Sequence, residues 1–97
     1  GLVPAGRTAA EAAKVLARLV EEEVDPLLDW RVETVEAGVR RFAERAGWTA
    51  KELFMTVRIA VTGRAASPPL FETLAALGKE TSRRRLRHAA RILKAGA

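Results

Sequence analysis

Four helix-stopping signals cut this chain into five short segments, and that punctuation limits what it can fold into. Asp25-Pro26, Gly47, Gly63 and Gly78 each follow a run whose apolar residues recur at helical spacing. Proline lacks a donor and restricts its predecessor, and glycine supplies the left-handed residue on which helices commonly end. No run alternates as a strand does, and the connections are too short to hide one. The expected fold is all-α: a compact bundle of about five short helices forming one domain over residues 1–97, with 1–7 as a flexible terminus.

The start signals agree with the stops. Thr8-Ala-Ala-Glu11 is a capping box, in which each side chain bonds the other residue's backbone N–H. Val15, Leu16, Leu19 and Val20 then form one face of a first helix. Glu21–Glu23 follow at its C-terminal end, where the helix dipole disfavours them, and consecutive helical positions suggest a solvated run. Asp29 is the expected N-cap of a second helix with a seam of Val32, Val35, Val39, Phe42 and Ala46. Gly47 ends it, with Trp48 as the apolar clamp.

Thr49-Ala-Lys-Glu52 is a second capping box and opens a third helix that ends near Thr62. Its consecutive Ile59, Ala60 and Val61 suggest burial on more than one side. Ser67 before Pro68 reads as an N-cap followed by the first helical position. The fourth helix carries Leu70, Phe71, Leu74 and Leu77. A fifth, from about Glu80 to Lys94, has an apolar stripe of Leu86, Ala89, Ala90 and Leu93 among Arg83, Arg84, Arg85, Arg87 and Arg91. Trp30, Trp48, Phe42, Phe54 and Phe71 fall at packing positions or helix boundaries, which suits core anchors better than a base-stacking platform.

A 97-residue chain supports one core without staples but no deep catalytic cleft besides. It has no cysteine, which excludes disulfides and thiolate metal sites and fits a reducing, cytoplasmic setting. No apolar run has the length of a membrane span, and the opening GLVPAGR lacks a signal-peptide core. It also lacks an initiator Met, which suits an excised piece of a longer protein. Catalytic and metal constellations are missing from the sequence: His88, the one histidine, has no Ser, Cys or Asp partner within a helical turn.

Charge is unevenly placed. Residues 1–50 hold seven Lys/Arg and nine Asp/Glu, a net −2, whereas residues 51–97 hold ten and three, a net +7. A basic half points to a polyanionic partner, although a solvated face has the same composition. Single-stranded RNA needs cations for phosphates and polar or apolar groups for splayed bases. The linker between the third and fourth helices supplies both. Arg58 and Arg64 are planar forks, Ser67 is a hydroxyl at a helix start, and Leu70 is an apolar contact one turn on. Each also has a structural reading: Ser67 as a cap, Leu70 as core, Arg58 as the partner of a carboxylate such as Glu72.

The segment Val57-Arg-Ile-Ala-Val-Thr-Gly63, followed after a Pro-bearing linker by Leu70-Phe-Glu-Thr-Leu-Ala-Ala-Leu-Gly-Lys-Glu80, resembles the C-terminal anticodon-binding domain of bacterial glutamyl-tRNA synthetases. Both blocks and their separation match, and the resemblance covers about residues 53–90. It implies an all-α helical cage that contacts the anticodon loop of tRNA-Glu as a monomer and catalyses nothing by itself. Arg58 looks like the family's base-contacting arginine, Ser67 like its polar linker residue and Leu70 like its apolar contact, with Arg64 nearby. Pro68, Gly63 and Gly78 would be structural. The chain itself would take no cofactor, ATP and Mg being used elsewhere in the parent ligase. The family usually has Pro two residues before this arginine; here Thr56 stands there, which would let the helix begin earlier. The alternatives are a stand-alone RNA- or protein-interaction module derived from that domain and, less well matched, a DNA-binding helix-turn-helix, whose tight Gly turn Pro68-Pro69 does not resemble.

Overall fold

The computed structural model describes residues 1–66 and 68–96. Within them the chain forms α1 (Ala9–Leu19), a π-helical turn (Val20–Val24), α2 (Val32–Ala46), α3 (Ala50–Thr62), α4 (Leu70–Leu77) and α5 (Lys79–Gly96), with no strand among the described residues. The all-α bundle expected from the sequence is the fold observed.

Both capping boxes form. Thr8 Oγ1 accepts the Glu11 N–H at 3.1 Å while the Glu11 carboxylate accepts the Thr8 N–H at 2.8 Å. Thr49 and Glu52 repeat the exchange at 3.1 and 3.0 Å. Gly47 and Gly63 adopt left-handed φ values of 73° and 74°. After Gly47 the Trp48 N–H reaches back to the Ala43 carbonyl at 3.0 Å, so the expected clamp closes with Trp48 buried. Gly78 is the single residue between α4 and α5, at φ 86° and ψ 163°, a region open essentially to glycine alone.

Two helix starts differ from expectation. Asp29 is not the N-cap of α2; the helix begins at Val32, with extended Arg31 at the cap. Thr34 Oγ1 accepts the Arg31 N–H at 3.0 Å and bonds the Asp29 carbonyl at 2.6 Å, while the Asp29 carboxylate accepts from Arg31 Nε at 2.7 Å. The Trp30 indole N–H, meanwhile, is engaged 2.9 Å away at the Leu74 carbonyl, tying this extended segment to α4. Helix α4 begins at Leu70 rather than Pro68, with Pro69 at its cap. The cause is local: a residue before proline is pushed out of the helical region, and Pro68 precedes Pro69. The capping role expected of Ser67 lies outside the described residues.

In the acidic run Glu21 is exposed, as a solvated run implies, whereas Glu22 and Glu23 form ion pairs. Glu22 accepts from Arg18 at 2.8 Å and from Arg45 at 3.0 Å; Glu23, whose side chain is 11% exposed, accepts from Arg41 at 2.8 Å and Arg45 at 2.9 Å. These pairs fasten the π turn to α2, which explains acids at the end of α1 despite the helix dipole. Gly38 makes room for them: a Cβ there would sit 3.2 Å from Glu23 Oε1. Leu2 and Arg7 of the first segment also bond the bundle. Thr56, fully buried in α3, donates to the Leu2 carbonyl at 3.0 Å. Arg7 bonds Glu52 at 3.1 Å and the Gly47 carbonyl at 2.9 Å, and lies 4.6 Å from the centre of the Trp48 ring.

The core lies where all five helices meet. Phe42, Leu16, Leu19, Leu53, Leu74 and Leu86 are its largest fully buried apolar side chains. Helices α1 and α5 share the most extensive contact. The stripe of Leu86, Ala89, Ala90 and Leu93 is buried as expected, and so are Trp48, Phe42 and Phe71. Phe54 is partly buried and meets Phe71 edge to face at 5.1 Å. Of Ile59, Ala60 and Val61 only Val61 is buried, so α3 presents one packed face rather than several.

Candidate nucleic-acid interface

The described linker residues, 63–66 and 68–69, are exposed: α3 ends at Gly63, and the next buried residue is Leu70, the first of α4. The departure is braced on both sides. Thr62 Oγ1 lies 2.7 Å from the Arg58 carbonyl and accepts the Arg64 N–H at 3.1 Å. From α5, Arg85 Nη1 donates to the Val61 carbonyl at 2.7 Å, placing a cation at the negative end of α3. The linker therefore leaves a fixed helix end, which suits a site that must hold a guanidinium in register.

Four residues were expected here. Arg58 is half-buried on α3, one turn before the helix end. Arg64 is exposed on the linker, and its guanidinium makes no ion pair with a described residue. Ser67 lies outside the described residues. Leu70 is 3% exposed and opens α4 inside the core, so its structural reading is the one seen. Thr56 does lie within a helix that starts well before it, at Ala50, and its buried hydroxyl has its own task on Leu2.

Arg40 was not singled out in the sequence. Its guanidinium lies 4.9 Å from the centre of the Phe54 ring, and Arg58 is one turn beyond Phe54 on α3. This guanidinium is held at 2.9 Å by Glu36 of α2 while it covers the Phe54 ring of α3. Only the packing of α2 against α3 brings it there; no motif marked it.

The basic α5 divides into two sets. Lys79 Nζ donates to the Asp25 and Leu27 carbonyls at 3.0 and 2.7 Å, Arg83 bonds the Asp25 carboxylate at 2.7 Å, and Arg85 caps α3. The pairing with Asp25 raises the Arg83 pKa, chiefly through the hydrogen bond. These cations fasten the bundle. Arg84, His88, Arg91 and Lys94 are exposed and make up the surface charge of this helix. Among the described residues no group of three or more acidic, His or Cys side chains is placed to hold a metal, and no helix is long and apolar enough to cross a membrane.

An all-α bundle with an exposed, braced linker flanked by guanidiniums defines a small helical module suited to a single-stranded polyanion. The chain belongs to the anticodon-binding domain family, whose model matches residues 5–90. Curated relatives agree. A glutamate–tRNA ligase of Roseiflexus sp. (strain RS-1) is 44% identical over 78 residues, covering 78% of this chain and 15% of the relative. One from Acidothermus cellulolyticus is 38% identical over 92 residues, covering 94% of this chain and 18% of the relative. One from Roseiflexus castenholzii is 37% identical over 94 residues, covering 97% and 18%. The chain therefore spans less than a fifth of the length of these relatives.

Proposed function

We propose that this chain is the anticodon-reading domain of a glutamate–tRNA ligase and binds the anticodon loop of tRNA-Glu along the α3–α4 linker. The observation that carries the proposal is the coincidence of two features. The family match runs through residues 5–90, with relatives that are glutamate–tRNA ligases, and the same segment carries Arg58 and Arg64 at a braced, exposed linker. Arg58 and Arg64 supply planar donors to base edges or phosphates, Ser67 a hydroxyl between them and α4. Leu70, buried beneath the linker, supports the start of α4, and a direct contact with a base requires the linker to part from the core. Adenylation of glutamate and its transfer, with ATP and Mg, belong to other parts of the ligase. The domain acts as a monomer in the cytoplasm.

Filter binding of tRNA-Glu and of an unrelated RNA at two salt concentrations tests this. The proposal expects tRNA-Glu to bind more tightly at both concentrations. It also expects Arg58→Ala to cost about 1–3 kcal/mol, or about 5- to 150-fold, for tRNA-Glu alone. Equal affinity for both RNAs with a steep common salt slope would mean generic phosphate binding by a stand-alone module.

A further inference from the structure

On the far side of the molecule's basic helix lies a groove that anticodon reading does not use. Lys79 and Arg83 at the start of α5 bond Asp25, just past the π turn that follows α1, so the two helices run antiparallel, and between them opens a cavity of about 520 Å³. Its floor is Ala10, Ala13 and Ala17 of α1 with Ala90 of α5. Its rim is Lys14 from α1 and Arg87, Arg91 and Lys94 from α5. Alanines at three- and four-residue spacing lie on one helical face, and their small side chains leave room for close backbone approach. Along α5, position 87 lies about 200° around the helix from position 85, at 3.6 residues per turn. Arg85 faces the end of α3, so the groove lies on the opposite flank from the linker.

We infer that this groove docks an acidic amphipathic helix of a protein partner, its apolar seam on the alanine floor and its carboxylates on the rim. This goes beyond anticodon reading and does not depend on it. Charge complementarity selects the partner's sign. Lys14, Arg91 and Lys94 make no ion pair with a described residue, and Arg87 reaches only Asp25, at 3.8 Å, with its Nε buried and unbonded. Four cations around one furrow therefore present nearly uncompensated positive potential, which favours carboxylates and disfavours cations. The floor selects the partner's class. A phosphodiester backbone has no apolar surface to bury on alanine, and no aromatic side chain lines the groove to stack a base. A helix in the notch between two antiparallel helices buries its seam there. A second copy of this chain does not fit: at net +5 it repels itself, and its Glu22 and Glu23 are already bonded to Arg18, Arg41 and Arg45.

The test uses the full chain and a fluorescein-labelled peptide of about 18 residues, long enough to be helical, with a Leu/Ala seam flanked by Glu. Its controls are a twin with Lys at each Glu and a scrambled twin without an apolar face. Anisotropy is expected to show micromolar binding of the acidic seam peptide, with both twins weaker by about tenfold or more. The double variant Arg91→Glu, Lys94→Glu, and separately Ala10→Trp at the exposed end of the floor, are each expected to weaken it by about tenfold or more, with helical circular dichroism retained. Absence of binding, equal binding of the scrambled twin, or unchanged binding to the charge-reversed variant would overturn the inference. So would loss of tRNA affinity in that variant with peptide binding intact, which assigns the groove to nucleic acid.

Discussion

Adjacent arginines on α5 offer a sharp test of how the linker is held. Arg85 donates to the Val61 carbonyl at 2.7 Å, whereas the exposed Arg84 makes no hydrogen bond or ion pair with a described residue. Arg and Met have similar helix propensity, so Arg84→Met and Arg85→Met leave the intrinsic helix term alone. A hydrogen bond from a charged donor contributes about 1.5–3 kcal/mol, and a cation at a helix C-terminus about 0.3–1 kcal/mol. Arg85 is itself exposed, and screening lowers the sum to about 1 kcal/mol. For a domain of this size that is a melting-temperature drop of about 4–8 °C. Arg84→Met should stay within about 0.5 kcal/mol of the parent. The assay is urea denaturation at constant m-value beside thermal melting. Equal losses for the two variants would refute the brace, and with it the idea that α5 fixes the end of α3 beneath the linker.

Three further outcomes follow from local geometry. The Arg7 guanidinium, then the Thr49 N–H, pull the Glu52 carboxyl from the ordinary 4.5 down to about 2. A depressed folded pKa means that the contribution is complete above about 4.5 and lost as pH falls toward about 2. Thermal melts of the parent and Glu52→Gln should therefore differ near neutral pH and converge across that window; a constant gap contradicts the assignment. Gly78→Ala meets no steric neighbour but must hold φ 86° and ψ 163°, so chemical denaturation should show a loss of about 1–3 kcal/mol, and an unchanged midpoint would mean the α4–α5 junction relaxes freely. Thr56→Val keeps shape and removes the bond to the Leu2 carbonyl, which should cost about 1 kcal/mol and speed amide exchange in residues 2–7; protection equal to the parent's would show that other contacts hold the arm.

Features set by a few neighbouring residues were legible in the sequence. The boxes at Thr8 and Thr49 and the stops at Gly47 and Gly63 need only their own turn, and each formed as expected. The start of α4 was misread although its cause was local, because Pro69 constrains Pro68 more strongly than a Ser-Pro pair signals a helix start. Features set by packing were not legible. Asp29 looked like a cap, but the segment is held extended by the bond from Trp30 to the Leu74 carbonyl of α4. Glu22 and Glu23 looked solvated because their partners on α2 are distant in sequence. The same distance hid Arg40 beside Phe54, and it merged the cations of α5 into one surface although Lys79, Arg83 and Arg85 each bond another part of the chain. At the linker, the places of Arg58 in the last turns of α3 and of Arg64 just past its end were legible from the Gly63 stop; the burial of Leu70 was not, because an apolar residue at a helix start serves core and ligand alike.

Reading of anticodon bases by the α3–α4 linker is open to direct measurement. The most direct measurement is the affinity of the chain for tRNA-Glu against the same tRNA with its anticodon bases replaced, for the parent and for Arg58→Ala. Replacing the anticodon should weaken binding to the parent by about 1–3 kcal/mol, and Arg58→Ala should remove most of this difference. Equal affinity of the parent for the two tRNAs, or discrimination that survives intact in Arg58→Ala, would contradict it.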